Sequence, residues 1–267
     1  MIIGFSTYLC LMKKYFIDES EVFAVNEDLE GRVELMGWEK KPIVYIDNFY
    51  KNPDMVRDLV FRIPPTFNRR ICGGLPGGRV SVNFDLTHLA PIWMDIAKEV
   101  YGLKKSEEPR FQIACEELTF SVNITGDEQC DIPHIDYPVE LNELARGWAG
   151  VIYLNTPEEC HGGTGFYTYK GMSCVDIEQS GIWREEIVRD SVGPWELVHL
   201  AEMKYNRLIF YPDDFLHTVY QHPGHFKTNN DNDTKPYRLA QSLFLPVPLY
   251  SQNEAVENIK KALKSDT

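Results

Sequence analysis

"NRLIFYPDDFLHTVYQ", residues 206–221, holds two apolar runs on either side of a break. Leu208 to Tyr211 read as a buried strand, Pro212-Asp213-Asp214 supplies turn residues, and His217 opens a second β-like run. A turn here sets His217 at the mouth of a sheet, where a site can be built. Upstream, "PHIDYP" (133–138) holds His134 and Asp136 two residues apart between prolines. Prolines oppose helix on their N-terminal side, and in extended chain residues i and i+2 share a face. His-x-Asp by itself recurs by chance in chains of this length, so the pair needs a third ligand, and His217 is the candidate. Two imidazoles and one carboxylate on one face suit non-haem Fe(II) and leave coordination positions open. Zinc suits the set less well, since it favours tetrahedral sites richer in thiolate or imidazole.

One strand further on, "KPYRLAQSLF" places Arg238 21 residues after His217. An arginine directed into a barrel is costly unless it meets an anion, and its planar fork suits a carboxylate. The plain alternative is a salt bridge at the rim of the sheet.

Working outward, residues after about 110 form short β-like runs separated by Gly, Pro and Asx residues: 116–124, 148–155, 163–170, 195–203, 206–212, 217–221 and 237–246. Many short strands divided by turn signals predict a sandwich, barrel or jelly roll. Before them, "KPIVYIDNFY" (41–50) reads as a strand. "NPDMVRDLVFRI" (52–63) reads as a helix with Asn52 at the N-cap and Pro53 at N1. "LAPIWMDIAKEVYG" (89–102) reads as a second helix ending at Gly102. "NRRICGGLPGGRV" (68–80) reads as a glycine-rich loop without the Gly-Lys-Ser/Thr ending of a phosphate cradle. "NEAVENIKKALKS" closes the chain as an amphipathic helix. The layout is α+β: a lead-in over 1–110, a β-rich core over 111–250 and a C-terminal helix over 251–267, forming one structural unit.

Taken in order, His134-Ile135-Asp136, "VIYLN", "GGTGFY", "NRLIFYPDDFLHTV" and Arg238 resemble the Fe(II)/2-oxoglutarate-dependent oxygenase superfamily, in its prolyl-hydroxylase-like branch. The resemblance covers roughly residues 110–246, and "KPIVYIDNFYKNPDMV" is similar to the strand–helix lead-in common in that branch. It implies a double-stranded β-helix (a cupin-like jelly roll) with N-terminal helices packed on the sheet. It also implies His134, Asp136 and His217 as Fe(II) ligands. Arg238 and Tyr153 are then contacts to the distal carboxylate of 2-oxoglutarate, with Ser242, four residues on along the same strand face as Arg238, as a further co-substrate contact. Asn123 reads equally as a co-substrate contact lining the pocket opposite Tyr153 or as a structural residue. The implied reaction uses O₂ and couples decarboxylation of 2-oxoglutarate to succinate with hydroxylation of a C–H bond. The implied substrate is an amino acid, free or in a peptide, or a similar small molecule. Asp136 favours hydroxylation, because halogenating members lack that carboxylate. The chain departs from the pattern in a long His217-to-Arg238 gap and in Ala240 where Arg-x-Ser would put serine.

Two other classes fit the residues alone: a cupin-like metal- or ligand-binding module without turnover, and a metal-dependent isomerase or hydrolase. The loops 137–147 and 222–236 read as rims of the site. Net charge is −13, which argues against nucleic acid or an anionic membrane surface and favours a cationic or neutral substrate. Six cysteines, at 10, 72, 115, 130, 160 and 174, form no Cys-x-x-Cys, so reduced thiols in a cytoplasmic protein are expected. The apolar start, residues 1–16, is too short to span a bilayer and reads as a first strand or helix. His88 reads as a capping or surface residue, His161 as a turn residue, His199 as a packed strand residue, and His222 and His225 as loop residues.

Overall fold

Eight strands of one antiparallel sheet face three of a second in the computed structural model. It describes residues 18–63, 66–67, 78–106, 108–116, 118, 120–126, 133–136, 147–172, 190–228 and 232–245. The expected N-terminal element within 1–16, the C-terminal helix and loop residues 137–146 lie outside these. The described elements begin with α1 (Glu19–Val22), β1 (Gly31–Met36), β2 (Lys41–Ile46), α2 (Pro53–Arg62), β3 (Thr66–Phe67) and β4 (Gly78–Val82). Then come α3 (Ala90–Tyr101), α4 (Glu108–Glu116), β5 (Phe120–Thr125), β6 (Trp148–Tyr153) and β7 (Gly163–Tyr169). The last are β8 (Trp195–Glu202), β9 (Leu208–Pro212), β10 (His217–Tyr220) and β11 (Arg238–Leu245).

The larger sheet runs β1-β2-β9-β6-β11-β5-β4-β3, and the smaller runs β10-β7-β8. Residue His134 bridges β10 and extends the smaller sheet beyond it. From β5 onward the chain alternates between the two: β5 large, 133–136 small, β6 large, β7 and β8 small, β9 large, β10 small, β11 large. That winding makes the protein a double-stranded β-helix with helices added before it.

Strand period sets the two faces of the larger sheet. Outward residues Val44, Val80, Val122, Ile124, Ile152, Leu208, Phe210, Leu239 and Leu243 pack with α2 and α3 in one apolar cluster. Trp93 of α3 stacks between Phe49 and Phe210, with ring centroids 5.5 and 5.8 Å away. Tyr101 stacks on Trp148. A second cluster joins Ile43, Tyr45, Ala149, Tyr153, Ile209 and Tyr211 of the inner face to Phe166, Tyr167, Trp195 and Phe215.

The helices expected at 52–63 and 89–102 are α2 and α3. Pro53 stands at the start of α2, although the Asn52 side chain makes no capping bond. Gly102 ends α3 in the left-handed region, at φ 66°. Three elements differ from expectation. α4 forms ahead of the β-like run expected at 116–124, where no element was expected: Phe111, Ile113 and Cys115 alternate in sequence as in a strand, yet Phe111 and Cys115 are buried one helical turn apart while Ile113 is 55% exposed. β4 takes Gly78-Arg79-Val80 out of the expected loop, because it pairs with β5 along its whole length. β1 carries little apolar signal in sequence, and only its last residue, Met36, is fully buried.

The turn before His217 is held from below by an ion pair. Lys41 Nζ lies 2.9 Å from Asp214 Oδ1, and both side chains are 4% exposed. Breaking a buried pair leaves the other charge stranded. Lys41→Met is therefore expected to destabilise the fold by about 3–5 kcal/mol. Urea unfolding measures it. A loss under about 1 kcal/mol, the value of a surface pair, would show that the pair does not hold the turn.

Candidate metal centre

His134 and His217 face each other across the smallest unit of antiparallel pairing. His134 N donates to His217 O at 3.0 Å, and His217 N donates to His134 O at 2.9 Å. Directly opposed residues of such a pair put their side chains on the same side. Asp136, two residues on, shares that side and is held by its own N–H donating to Asp213 O at 3.1 Å. The site therefore follows from one strand pairing and one turn.

The three ligating atoms lie within 4.8 Å of one another. His217 Nε2 is 3.4 Å from Asp136 Oδ2, and His134 Nε2 is 3.9 Å from Asp136 Oδ1. Phe215 O sits 2.8 Å from His217 Nδ1. A carbonyl can only accept, so Nδ1 carries the proton and Nε2 keeps its lone pair for a metal. Burial lowers the His217 pKa, against the opposing pull of the Asp136 carboxylate, so its ring is neutral. Asp136 Oδ2 is buried and has no hydrogen-bond partner. An orphaned carboxylate oxygen between two imidazoles is expensive unless a cation fills the gap, and the donor set fits Fe(II). The His134 side chain is 36% exposed against 8% for His217 and 9% for Asp136, so the cluster opens on the His134 side.

Tyr211 and Phe166 wall the site, their ring centroids 4.9 and 6.1 Å from that of His217. Arg238, 2% exposed, begins β11 on the inner face, and its Nη2 donates to Gly163 O at 3.2 Å. Its guanidinium carbon lies 5.6 Å from the centre of the Tyr153 ring. Tyr153 Oη and Thr164 Oγ1 are 2.7 Å apart. Burial raises the Tyr153 pKa while Arg238 opposes it, so the phenol stays protonated and can donate. The structure thus brings Tyr153 and Arg238 together and adds Thr164. Asn123 and Ser242 form a separate pair, Asn123 Nδ2 donating to Ser242 Oγ at 2.8 Å. Arg79 joins that pair through Nε donating to Asn123 Oδ1 at 3.1 Å. Arg79 is hidden in the sequence because it directly follows Gly77-Gly78 in an apparent loop. The alternation of Arg79-Val80-Ser81-Val82 was the usable signal.

The other histidines stand apart from this cluster. His88 Nε2 lies 3.1 Å from Phe23 O. His199 is half-buried against Tyr45 Oη. His161 and His225 stack on each other, exposed, at 4.0 Å. Among the described residues Cys115 and Cys160 are free thiols. None of the described helices is long and apolar enough to cross a membrane.

The class defined by fold and site is a double-stranded β-helix whose His-Asp-His face can hold a metal. The chain belongs to the family described as "Family of unknown function (DUF6445)", whose model matches residues 27–245. No curated protein matches it. Among solved structures it is similar to a prolyl 4-hydroxylase from Phytophthora capsici, at 14% identity and TM-score 0.44 over 77% of this chain. The chain spans 58% of that protein's length. A Pseudomonas putida prolyl-4-hydroxylase is similar at 10% identity and TM-score 0.42, over 82% of this chain and 92% of the other. The non-heme alpha-ketoglutarate-dependent carbocyclase SnoK is similar at 12% identity and TM-score 0.40, over 86% and 83%.

Each of His134→Ala, Asp136→Ala and His217→Ala is expected to weaken divalent-metal binding by more than about a hundredfold, since losing even an outer-shell partner costs about 10–100-fold. His88→Ala and His161→Ala should bind as wild type. Anaerobic Co(II) titration followed by its visible spectrum reads all five. Stoichiometric, undiminished Co(II) binding by folded His217→Ala would remove the centre from these residues.

Proposed function

We propose that the chain is an Fe(II)- and 2-oxoglutarate-dependent oxygenase that hydroxylates a C–H bond of an amino acid, free or peptidyl, or a similar small molecule. The observation that carries the reading is the orphaned Asp136 oxygen between two imidazoles, inside the same barrel as a buried arginine. His134, Asp136 and His217 would hold the metal. Iron(II) bound there would supply activation of O₂, with 2-oxoglutarate as the reductant that leaves as succinate and CO₂.

The chain's part is placement. Arg238 presents parallel donors suited to the distal carboxylate of 2-oxoglutarate, and the Tyr153 hydroxyl offers a further donor beside it. Both are fully buried, which strengthens each charge-assisted bond and excludes water from that end of the pocket. Phe215 O keeps the His217 tautomer fixed throughout. Tyr211 and Phe166 restrict the metal's surroundings to aromatic surface on the His217 side. The more exposed His134 side is left for substrate to approach. Asn123 bonds both Arg79 and Ser242, and we place this chain of three with Arg79 and not with the co-substrate.

Arg238→Lys is expected to leave metal in place and weaken 2-oxoglutarate by roughly tenfold to a hundredfold, the value of a charge-assisted bond of about 1.5–3 kcal/mol. Tyr153→Phe keeps the ring and loses one hydroxyl, about 1 kcal/mol. Because both meet one carboxylate, the double variant should fall short of the sum. Anaerobic titration of Fe(II) protein, following the metal-to-ligand charge-transfer band of the chelate, measures these. If wild type shows no band at any 2-oxoglutarate concentration, the oxygenase reading fails and a non-catalytic metal module takes its place.

A further inference from the structure

The inner face of the larger sheet is divided in two. Where β6, β9 and β2 form it, the register aligns Val151, Tyr153, Ile209, Tyr211, Ile43 and Tyr45. Where β4, β5 and β11 form it, the same face carries Arg79, Ser121, Asn123, Thr125, Arg238 and Ser242. A polar strip inside a barrel lowers stability unless each group is matched. Arg238 is assigned above, and Arg79 is the other cation of the strip.

Arg79 is fixed but incompletely satisfied. Its Nε is tied to Asn123 Oδ1 at 3.1 Å, and Asn123 is tied in turn to Ser242 Oγ at 2.8 Å. Its Nη2 is buried and has no hydrogen-bond partner. Burial weighs against its charge, and the carboxylate that acts in its favour is Asp136, the metal-facing one. A guanidinium does not escape burial by losing its proton, so an anion must compensate it. Asp136 is committed to the metal, and the co-substrate's distal carboxylate is committed to Arg238.

We infer that Arg79, oriented by Asn123 and Ser242, binds a carboxylate of the primary substrate and presents that substrate beside Asp136. The inference rests on the oxygenase reading and narrows its substrate class to carboxylic acids, free amino acids included. It reverses the preference for a cationic or neutral substrate drawn from net charge. A chain of charge −13 repels acids at long range, and a desolvated guanidinium at the site is the device that selects one at short range.

The test uses the full chain loaded with Mn(II) and saturating 2-oxoglutarate, without O₂. Calorimetric titration compares hexanoate with hexylamine and hexan-1-ol, matched in length and differing in charge. Hexanoate is expected to bind at least about tenfold more tightly than either, the worth of one charge-assisted bond. Arg79→Gln should erase that preference. Asn123→Asp offers the guanidinium an internal carboxylate and should erase it too, with the arginine still present, so a folding defect in one variant does not decide the matter. In parallel Fe(II) titrations the 2-oxoglutarate affinity of Arg79→Gln should match wild type. A fall equal to that of Arg238→Lys would make Arg79 a co-substrate anchor and overturn the inference. Equal binding of the three probes, or hexanoate binding indifferent to Arg79→Gln, would also overturn it. If wild type forms no chelate band, the oxygenase reading fails separately; Arg79-dependent hexanoate binding to the Mn(II) protein alone would still uphold an anion site.

Discussion

Two backbone hydrogen bonds between His134 and His217 are the constraint on which the centre depends. Residues 133–136 make no other β-bridge among the described residues, so this contact is what sets their register against β10. A slip of one residue would turn Ile135 toward the metal face and His134 and Asp136 away from it. The register is reinforced beneath by Asp136 N on Asp213 O and by Gly147 N on Asp213 Oδ2 at 2.7 Å. Lys41, reaching from β2, fixes Asp214 next door. The turn at 212–216 is therefore a backbone clamp as well as a connection: its first acid orients the strand of His134, and its second ties the clamp to the lead-in.

That dependence explains why the helical lead-in belongs with the site in energetic terms. β2 carries Lys41 inward and Val44 and Ile46 outward into the cluster with α2 and α3. Burying one such aliphatic side chain is worth about 1.5–3 kcal/mol, and Trp93 and Tyr101 add stacked aromatic area. This outer packing offsets the cost of a polar inner strip. The barrel tolerates two arginines, an orphaned carboxylate oxygen and an unpartnered Nη2 because apolar burial sits on the opposite face of the same strands.

The sequence made the late strands legible, because each is a short apolar run cut by Gly, Pro or Asx, and the ligand triad legible, because His-x-Asp and a post-turn histidine are local patterns. Arg238 was legible as a cation directed into the barrel and Tyr153 followed from resemblance, and the two lie against each other. What stayed hidden depends on neighbours. β4 is a strand because β5 pairs with it, and its glycine-rich start masks that. α4 carries a strand-like alternation that tertiary burial of Phe111 and Cys115 overrides. Lys41 is unremarkable in sequence and becomes a buried partner only through Asp214, 173 residues away. Thr164 and Arg79 are seen only when strands far apart in the chain are laid side by side.

The first two glycines of "GGTGFY" show how tightly that lateral assembly constrains the co-substrate end. Gly162 has φ 73°, and a Cβ there would meet Tyr220 O at 2.0 Å. A Cβ on Gly163 would meet Ala201 O at the same distance. No ordinary side chain fits either gap, so β7 enters pressed between β10 and β8. Gly163 O is the carbonyl that accepts from Arg238 Nη2, and Thr164, the next residue, bonds the Tyr153 hydroxyl. The same backbone approach that forbids a Cβ thus sets the height of both groups facing the proposed carboxylate. A bulkier residue at 162 or 163 would push β7 outward and move Arg238's acceptor and Tyr153's partner together. The anchor is for that reason a property of strand packing at β7, and Arg238 and Tyr153 inherit their positions from it.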